Sequence, residues 1–208
     1  MRILHLTDLH YRETYPPSDQ EYLRLLAACP PLSRRLELCA RRLGTETPDG
    51  ILLTGDLTDY GTPEDFASLK TEISRVFPGI PVAVTPGNHD GKPAFRTGWA
   101  GEGAGDAPWN AVSRIGDLTV LSLDSSREGS NEGDIGEAQC VWLAEQLAAL
   151  RGPAILITHF HLLPHQHPMA PAVYHPRFFQ MIAQSRLLGV FCGHAHDPYV
   201  GFFAGKPY

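Results

Sequence analysis

Cysteine is scarce in this chain, long apolar runs are missing, and basic residues are outnumbered by acidic ones. Cys29, Cys39, Cys140 and Cys192 are the only cysteines among 208 residues, and they form no CxxC pair or metal-type spacing. They read as buried free thiols, which suits the reducing cytoplasm. No stretch approaches the ~18 consecutive apolar residues of a membrane span, and the run Ile3 to Leu6 is too short for a signal-peptide core. The expectation is a cytoplasmic protein with no membrane partner. Lys and Arg number 17 against 23 Asp and Glu, a formal charge of −6 with no basic stripe, so nucleic acid is not an expected partner. Disorder is excluded as well. With 43% hydrophobic and 19% charged residues, a chain of this length buries a core.

Histidine, by contrast, is plentiful, at ten residues, and the question is whether the imidazoles cluster. Short apolar runs recur at Ile3 to Thr7, Ile51 to Thr54, Val82 to Thr85, Leu118 to Leu123, Ile155 to Thr158 and Leu187 to Phe191. Their near-continuous hydrophobicity predicts strands buried on both faces. Helical patterns separate several of them. Ser18 to Glu21 reads as a capping box before Tyr22, Leu23, Leu25 and Leu26, and Thr62-Pro63-Glu64-Asp65 opens a helix reaching about Phe77. Leu32 to Leu43, Gly136 to Leu150 and Pro176 to Gln184 complete the set. Trp109 to Asp124 reads as a hairpin turning at Gly116-Asp117, so the sheets are expected to be mixed. The fold class is layered α/β, in one domain over residues 1–208. The glycine-rich segment Gly98 to Asp106 neither follows a buried strand nor opens a helix, so it reads as a surface loop rather than a phosphate loop.

Polar residues gather where the strands end. Asp8 and His10 follow the first, Asp56 and Asp59 the second, Asn88, His89 and Asp90 the third, His159 a fourth, and His194 and His196 the last. Ligands of open α/β sheets collect beyond the carboxyl ends of the strands, so these residues are expected on one rim. Mixed carboxylate, amide and imidazole donors suit Mn, Fe or Zn. Gly55, Gly87 and Gly193 are expected to permit sharp turns through positive φ. Taken singly, Asp8, Asp56 and Asn88 are ordinary turn or capping residues, and His194 and His196 ordinary exposed imidazoles. His5, within a strand, reads as a satisfied core histidine. His165, His167 and His175 read as solvated loop residues, and Asp90 as a loop cap.

The ordered motifs DLH (Asp8 to His10), GDLTD (Gly55 to Asp59), GNHD (Gly87 to Asp90), THFH (Thr158 to His161) and GHAH (Gly193 to His196) resemble those of the calcineurin-like metallophosphoesterase superfamily. The opening RILHLTDLH and the later Gln139, Trp142 and Leu143 are similar in style to the compact bacterial cyclic-nucleotide phosphodiesterases. The resemblance implies an αββα sandwich with mixed sheets flanked by helices, and two metal ions. Asp8, His10, Asp56 and His196 would hold the first and Asp56, Asn88, His159 and His194 the second, with Asp56 bridging. Two divalent ions outweigh these two carboxylates, so the site stays positive in an acidic chain. Catalysis would be in-line attack on a small phosphoester by a metal-bound hydroxide. His89 would serve the leaving oxygen and Asp59 would orient it.

Two departures bear on this reading. Phe160 separates His159 from His161 where the family often has adjacent histidines; His159 is favoured because it follows the strand directly. The chain also stops at Tyr208, after a hairpin-like Val200 to Pro207, where relatives continue with further strands. Incomplete C-terminal strands or a homodimer covering the open edge are the two expectations there. The same metal core serves phosphomonoesterases and hydrolases of glycerophosphodiesters or nucleotide-sugar lipids. A silent scaffold would be expected to lose ligands, and every ligand position here is filled.

Overall fold

Strands that run between two layers must be apolar on both faces, and that requirement organises the molecule. The computed structural model describes residues 1–208. In chain order its elements are β1 (Ile3–Leu6), α1 (Glu21–Ala28), α2 (Leu32–Leu43), β2 (Gly50–Thr54), α3 (Pro63–Val76), β3 (Val82–Thr85) and α4 (Lys92–Phe95). Then follow β4 (Ala111–Ile115), β5 (Leu118–Ser122), β6 (Asp134–Ile135), α5 (Glu137–Ala149) and β7 (Ala154–Ile157). The chain ends with β8 (Val173–Tyr174), α6 (Pro176–Gln184), β9 (Leu187–Phe191), β10 (Phe202–Phe203) and β11 (Lys206–Pro207).

One sheet is parallel, in the order β1-β2-β3. The second is mixed, in the order β4-β5-β7-β9, with β4 antiparallel to β5 as the hairpin pattern predicts and the other pairs parallel. Alternate residues of each central strand face different layers. Ile51 and Leu53 of β2 meet Leu36, Phe66, Leu69 and Ile73 of α2 and α3, whereas Leu52 faces inward. On the other side, Leu121 of β5 and Leu156 of β7 meet Leu143, Phe178 and Ile182 of α5 and α6. The layer between the sheets holds Leu52, Ala83, Leu118, Val120, Ile155 and Ile157. The result is the expected αββα sandwich, and no helix is long and apolar enough to cross a membrane.

Helix α3 starts as predicted, with the Thr62 side chain accepting from the Asp65 amide and Asp65 returning a bond to the Thr62 amide. Three local expectations need correction. The Ser18 hydroxyl accepts the Gln20 amide at 3.1 Å in a short local turn, so α1 begins at Glu21 without a side-chain cap. The segment from Gly98 is not loop throughout. Arg96–Ala100 continues α4 as one wide π-type turn, and a Cβ at Gly98 would run into the Pro63 carbonyl of α3. Only beyond it is the segment an exposed loop. His5 is not a core residue. It faces the inter-sheet layer from β1, an edge strand with no neighbour beyond it, so it is exposed, although its Nε2 lies 2.8 Å from Thr54 Oγ1. A cavity of about 830 Å³ opens at that margin between β1 and β9, reaching the metal-type side chains at Asp8 and His196.

Candidate metal centre

The loops at the carboxyl ends of β1, β2, β3, β7 and β9 converge, and three clusters of possible ligand atoms form there. They are Asp8, His10, Asp56 and His196; Asp56, His159 and His194; and His10, Asp59 and His89. The first two share Asp56, which is buried. Its Oδ2 lies 3.6 Å from His10 Nε2 and its Oδ1 lies 3.3 Å from His159 Nε2. One carboxylate thus addresses both imidazole sets.

Polar contacts orient His159, His10 and His196, and His194 is held by ring packing against Phe160 and His161. His159 Nδ1 donates to the Thr54 carbonyl at 2.8 Å, which leaves Nε2 to face Asp56 and the Asn88 Oδ1, 3.1 Å away. His10 Nε2 and His196 Nε2 lie 3.2 Å apart, and His196 Nε2 is 3.4 Å from Asp8 Oδ1. Asp8 is held from behind by the Thr7 hydroxyl at 2.7 Å and the His194 amide at 3.1 Å. This donor set fits two cations: within each cluster the nitrogens and carboxylate oxygens lie within 4.8 Å of one another, and the outer atoms of His159 and Asp8 are tied down.

The backbone that achieves this departs from expectation. Gly55 has φ +88° as predicted, but Gly87 and Gly193 do not lie at positive φ. They are glycines because a Cβ at Gly87 would meet the Asp56 carboxylate and one at Gly193 would meet Thr7 and Asp8. The positive φ angles fall instead on Asp8 (52°), His10 (44°), Asp56 (46°), His194 (69°) and His196 (56°). Such sparsely populated conformations persist at functional sites when the surroundings over-determine them.

Electrostatics follow the packing. Burial alone would raise Asp56, yet His159, His89 and His10 hold its carboxyl well below the usual range. Burial lowers His159, but Asp56 and Asp8 overcome it and push its pKa up to about 9. Burial takes His194 down to about 3, helped by the charge of His159, so it is neutral and ready to bind a cation. His89 Nδ1 donates to Asp59 Oδ1 at 2.7 Å. Burial works against a charged His89, but Asp59 and Asp56 leave its pKa raised overall. His89 also packs against the Tyr60 ring, 4.7 Å between centroids.

Asp90 does more than cap a loop. Its Oδ2 accepts the Leu57 and Gly87 amides at 3.0 and 2.9 Å, and its Oδ1 accepts the Thr58 amide at 2.8 Å. It therefore staples the GDLTD and GNHD loops together, and burial beside Asp56 pushes its pKa up to about 6. His161 is buried and stacks on His194, its Nε2 faces the Met169 carbonyl at 3.2 Å, and it belongs to none of the three clusters. His165 and His167 are tied to Tyr199 and Asp197, and His175 caps α6. Sequence reasoning missed Tyr22. Its hydroxyl lies 3.0 Å from His10 Nδ1 and donates to Asp59 Oδ1 at 3.3 Å, and burial and Asp59 hold its pKa well above the ordinary value. No motif marks it, because in sequence it joins the apolar face of a helix.

Comparison with known proteins agrees with this geometry. The family described as Calcineurin-like phosphoesterase matches residues 1–198. A probable cyclic nucleotide phosphodiesterase of Rhodococcus erythropolis is 35% identical over 169 residues, covering 77% of this chain and 55% of the relative. A cAMP/cGMP dual specificity phosphodiesterase of Mycobacterium tuberculosis is 32% identical over 172 residues, covering 77% and 52%. The chain thus spans about half the length of these curated relatives. Among solved structures, a dimetal phosphatase from Danio rerio superposes with TM-score 0.71 at 14% identity, over 99% of this chain and 85% of that one, a likeness of fold. Motifs, sandwich and family match coincide: the chain belongs to the calcineurin-like phosphoesterase family.

Proposed function

We propose that this chain carries the dinuclear metal centre of a phosphodiesterase acting on small diesters, with cyclic nucleotides the favoured class. The observation that carries the reading is the Asp56 carboxylate, with one oxygen toward His10 and the other toward His159. Asp8, His10, Asp56 and His196 would hold one ion, and Asp56, Asn88, His159 and His194 the other; Mn, Fe and Zn all suit these donors. Bound there, two cations supply Lewis acidity toward the phosphoryl oxygens and lower the pKa of water.

The chain's own part begins with His89. Its Nδ1 is engaged by Asp59, which leaves Nε2 as the atom able to deliver a proton to the leaving oxygen. In the metal-free chain the carboxylates of Asp59 and Asp56 raise the His89 pKa against the effect of burial. Asp59 fixes the ring and favours its charged form. The names of the Rhodococcus and Mycobacterium relatives favour diesters and cyclic nucleotides over monoesters.

The test is a screen of bis-p-nitrophenyl phosphate, p-nitrophenyl phosphate and 2′,3′- and 3′,5′-cyclic nucleotides. It is run on protein stripped with EDTA and then reloaded with Mn²⁺. Hydrolysis of diesters that disappears on stripping and returns with Mn²⁺ is expected; activity confined to monoesters, or surviving stripping, would overturn the reading. His89→Ala is expected to keep both metals while kcat falls by ~10²–10⁴. Loss of metal from that variant would make His89 a ligand.

A further inference from the structure

One side of the site is supplied by a residue that lies on no strand-end loop. Tyr22 occupies the first turn of α1, a helix with no buried residue. Its ring lies 6.0 Å from that of His10 and 6.2 Å from that of His89, and its hydroxyl is within hydrogen-bond reach of both His10 and Asp59. The direct separation of His10 Nδ1 from Asp59 Oδ1 is 3.6 Å, beyond hydrogen-bond reach. From the phenol oxygen, the same two atoms are at 3.0 and 3.3 Å. Asp59 Oδ1 is also the oxygen that receives His89 Nδ1–H.

We propose that Tyr22 is a positioning residue whose hydroxyl accepts the His10 Nδ1 proton and donates its own to Asp59 Oδ1. One phenol thereby joins a candidate metal ligand to the pair that serves the leaving group. The inference rests on the proposed function for the roles of His10 and His89. The direction of the chain follows from donor inventory. An ionised carboxylate only accepts, so the phenol proton goes to Asp59, and the phenol lone pair is left for an imidazole N–H. His10 is then fixed in the Nδ1–H tautomer. Its bare Nε2 faces His196 Nε2 at 3.2 Å and Asp56 Oδ2 at 3.6 Å, where a cation is to be held. Outer partners of this kind orient the ring and raise its basicity as a ligand.

Because Tyr22 is 40% exposed on a helix without core residues, Tyr22→Phe removes the hydroxyl and leaves the fold in place. Leu25→Ala, at 62% exposure on the same helix, is the control for loosened packing. Three measurements are made on each full chain: calorimetric titration with Mn²⁺, imidazole ¹H–¹⁵N spectra of the Zn²⁺-loaded protein, and kcat and KM with bis-p-nitrophenyl phosphate. Tyr22→Phe is expected to weaken binding of one Mn²⁺ equivalent by about 10-fold, the low end for lost outer partners. It should also remove the protected His10 Nδ1–H signal and lower kcat with little change in KM, while Leu25→Ala matches the wild type. Wild-type affinity and an unchanged Nδ1–H signal in Tyr22→Phe would overturn the proposal, as would an equal loss in Leu25→Ala. A wild-type chain that hydrolyses none of the phosphoesters brings down the proposed function instead, and the Mn²⁺ titration and the spectra then decide the Tyr22 link by themselves.

Discussion

On one side of Asp56 stand His159 and His194, at 0% and 5% exposure; on the other stand Asp8, His10 and His196, the last with its side chain 53% exposed. Both sets draw on Asp56 and two imidazoles, and they differ in one donor type, the Asp8 carboxylate on one side and the neutral Asn88 amide oxygen, 3.1 Å from His159 Nε2, on the other. One imidazole from each side marks the contrast. His159 leaves β7, which lies between two strands of its sheet, and its Nδ1 is bonded to backbone of the facing sheet. His196 lies in the turn after β9, an edge strand, with solvent on its outer side. The lesson is that related donors are offered with unequal access: His10, at 3% exposure, is as deep as His194, but His196 opens its set to solvent, so the two sets should hold and exchange ions differently.

Asp56→Ala tests whether the two halves are one centre. Removing the shared carboxylate should abolish binding of both metals and reduce diester hydrolysis to background. Retention of one full equivalent by metal analysis would divide the centre into independent sites. The next largest contrast is between His159→Ala and His196→Ala. The first removes the bond to the Thr54 carbonyl and the buried imidazole facing Asp56, leaving the Thr7 hydroxyl and the His89 amide as their hydrogen-bond partners, so urea unfolding should show a loss of about 1–3 kcal/mol. The second lies at the surface, and its stability should stay within about 0.5 kcal/mol of wild type while a metal equivalent weakens. Equal losses in both variants would erase the difference in depth.

The metal-free chain should also depend on pH. The folded-state pKa of His159 is about 9, above its ordinary 6.5. Its contribution to stability is therefore complete below about 6.5 and is lost as pH rises through about 9. A cation must displace that proton, so binding at the buried set should tighten with rising pH up to about 9, whereas His194, at about 3, has none to give near neutrality. Calorimetry in buffers of different ionisation enthalpy reads the released proton. An absence of proton release at pH 7 would contradict the charged state of His159.

What could be read in the sequence follows the same division between strand bodies and the turns beyond them. The bounds of β3 and β9 are legible to the residue because each is an uninterrupted apolar run, although Leu188 of β9 is exposed, and the start of α3 is legible because its cap is local chemistry. The strand-end motifs likewise show which residues face the site. Long-range placement was not legible. His5 looks like core until β1 is known to be an edge, and Ser18 looks like a cap until its hydroxyl is seen on the Gln20 amide. Gly87 and Gly193 reveal that space is tight, but the crowding comes from Asp56 and Asp8, far away in sequence or in the neighbouring loop. Tyr22 was hidden for a similar reason, since an aromatic at helical spacing reads as packing.

The left-handed backbone at Asp8, His10, Asp56, His194 and His196 has a historical consequence. Asp and His, with Asn, are the non-glycine residues that populate this region most readily, and they are also natural ligands of hard and borderline metals. Selection for a tight turn and selection for a metal donor therefore draw on overlapping alphabets. At these five turns one residue satisfies both demands at once. Descendants that abandon the metal should drift at these turns toward Asn or Gly before Ala, keeping the bends after the chemistry has gone.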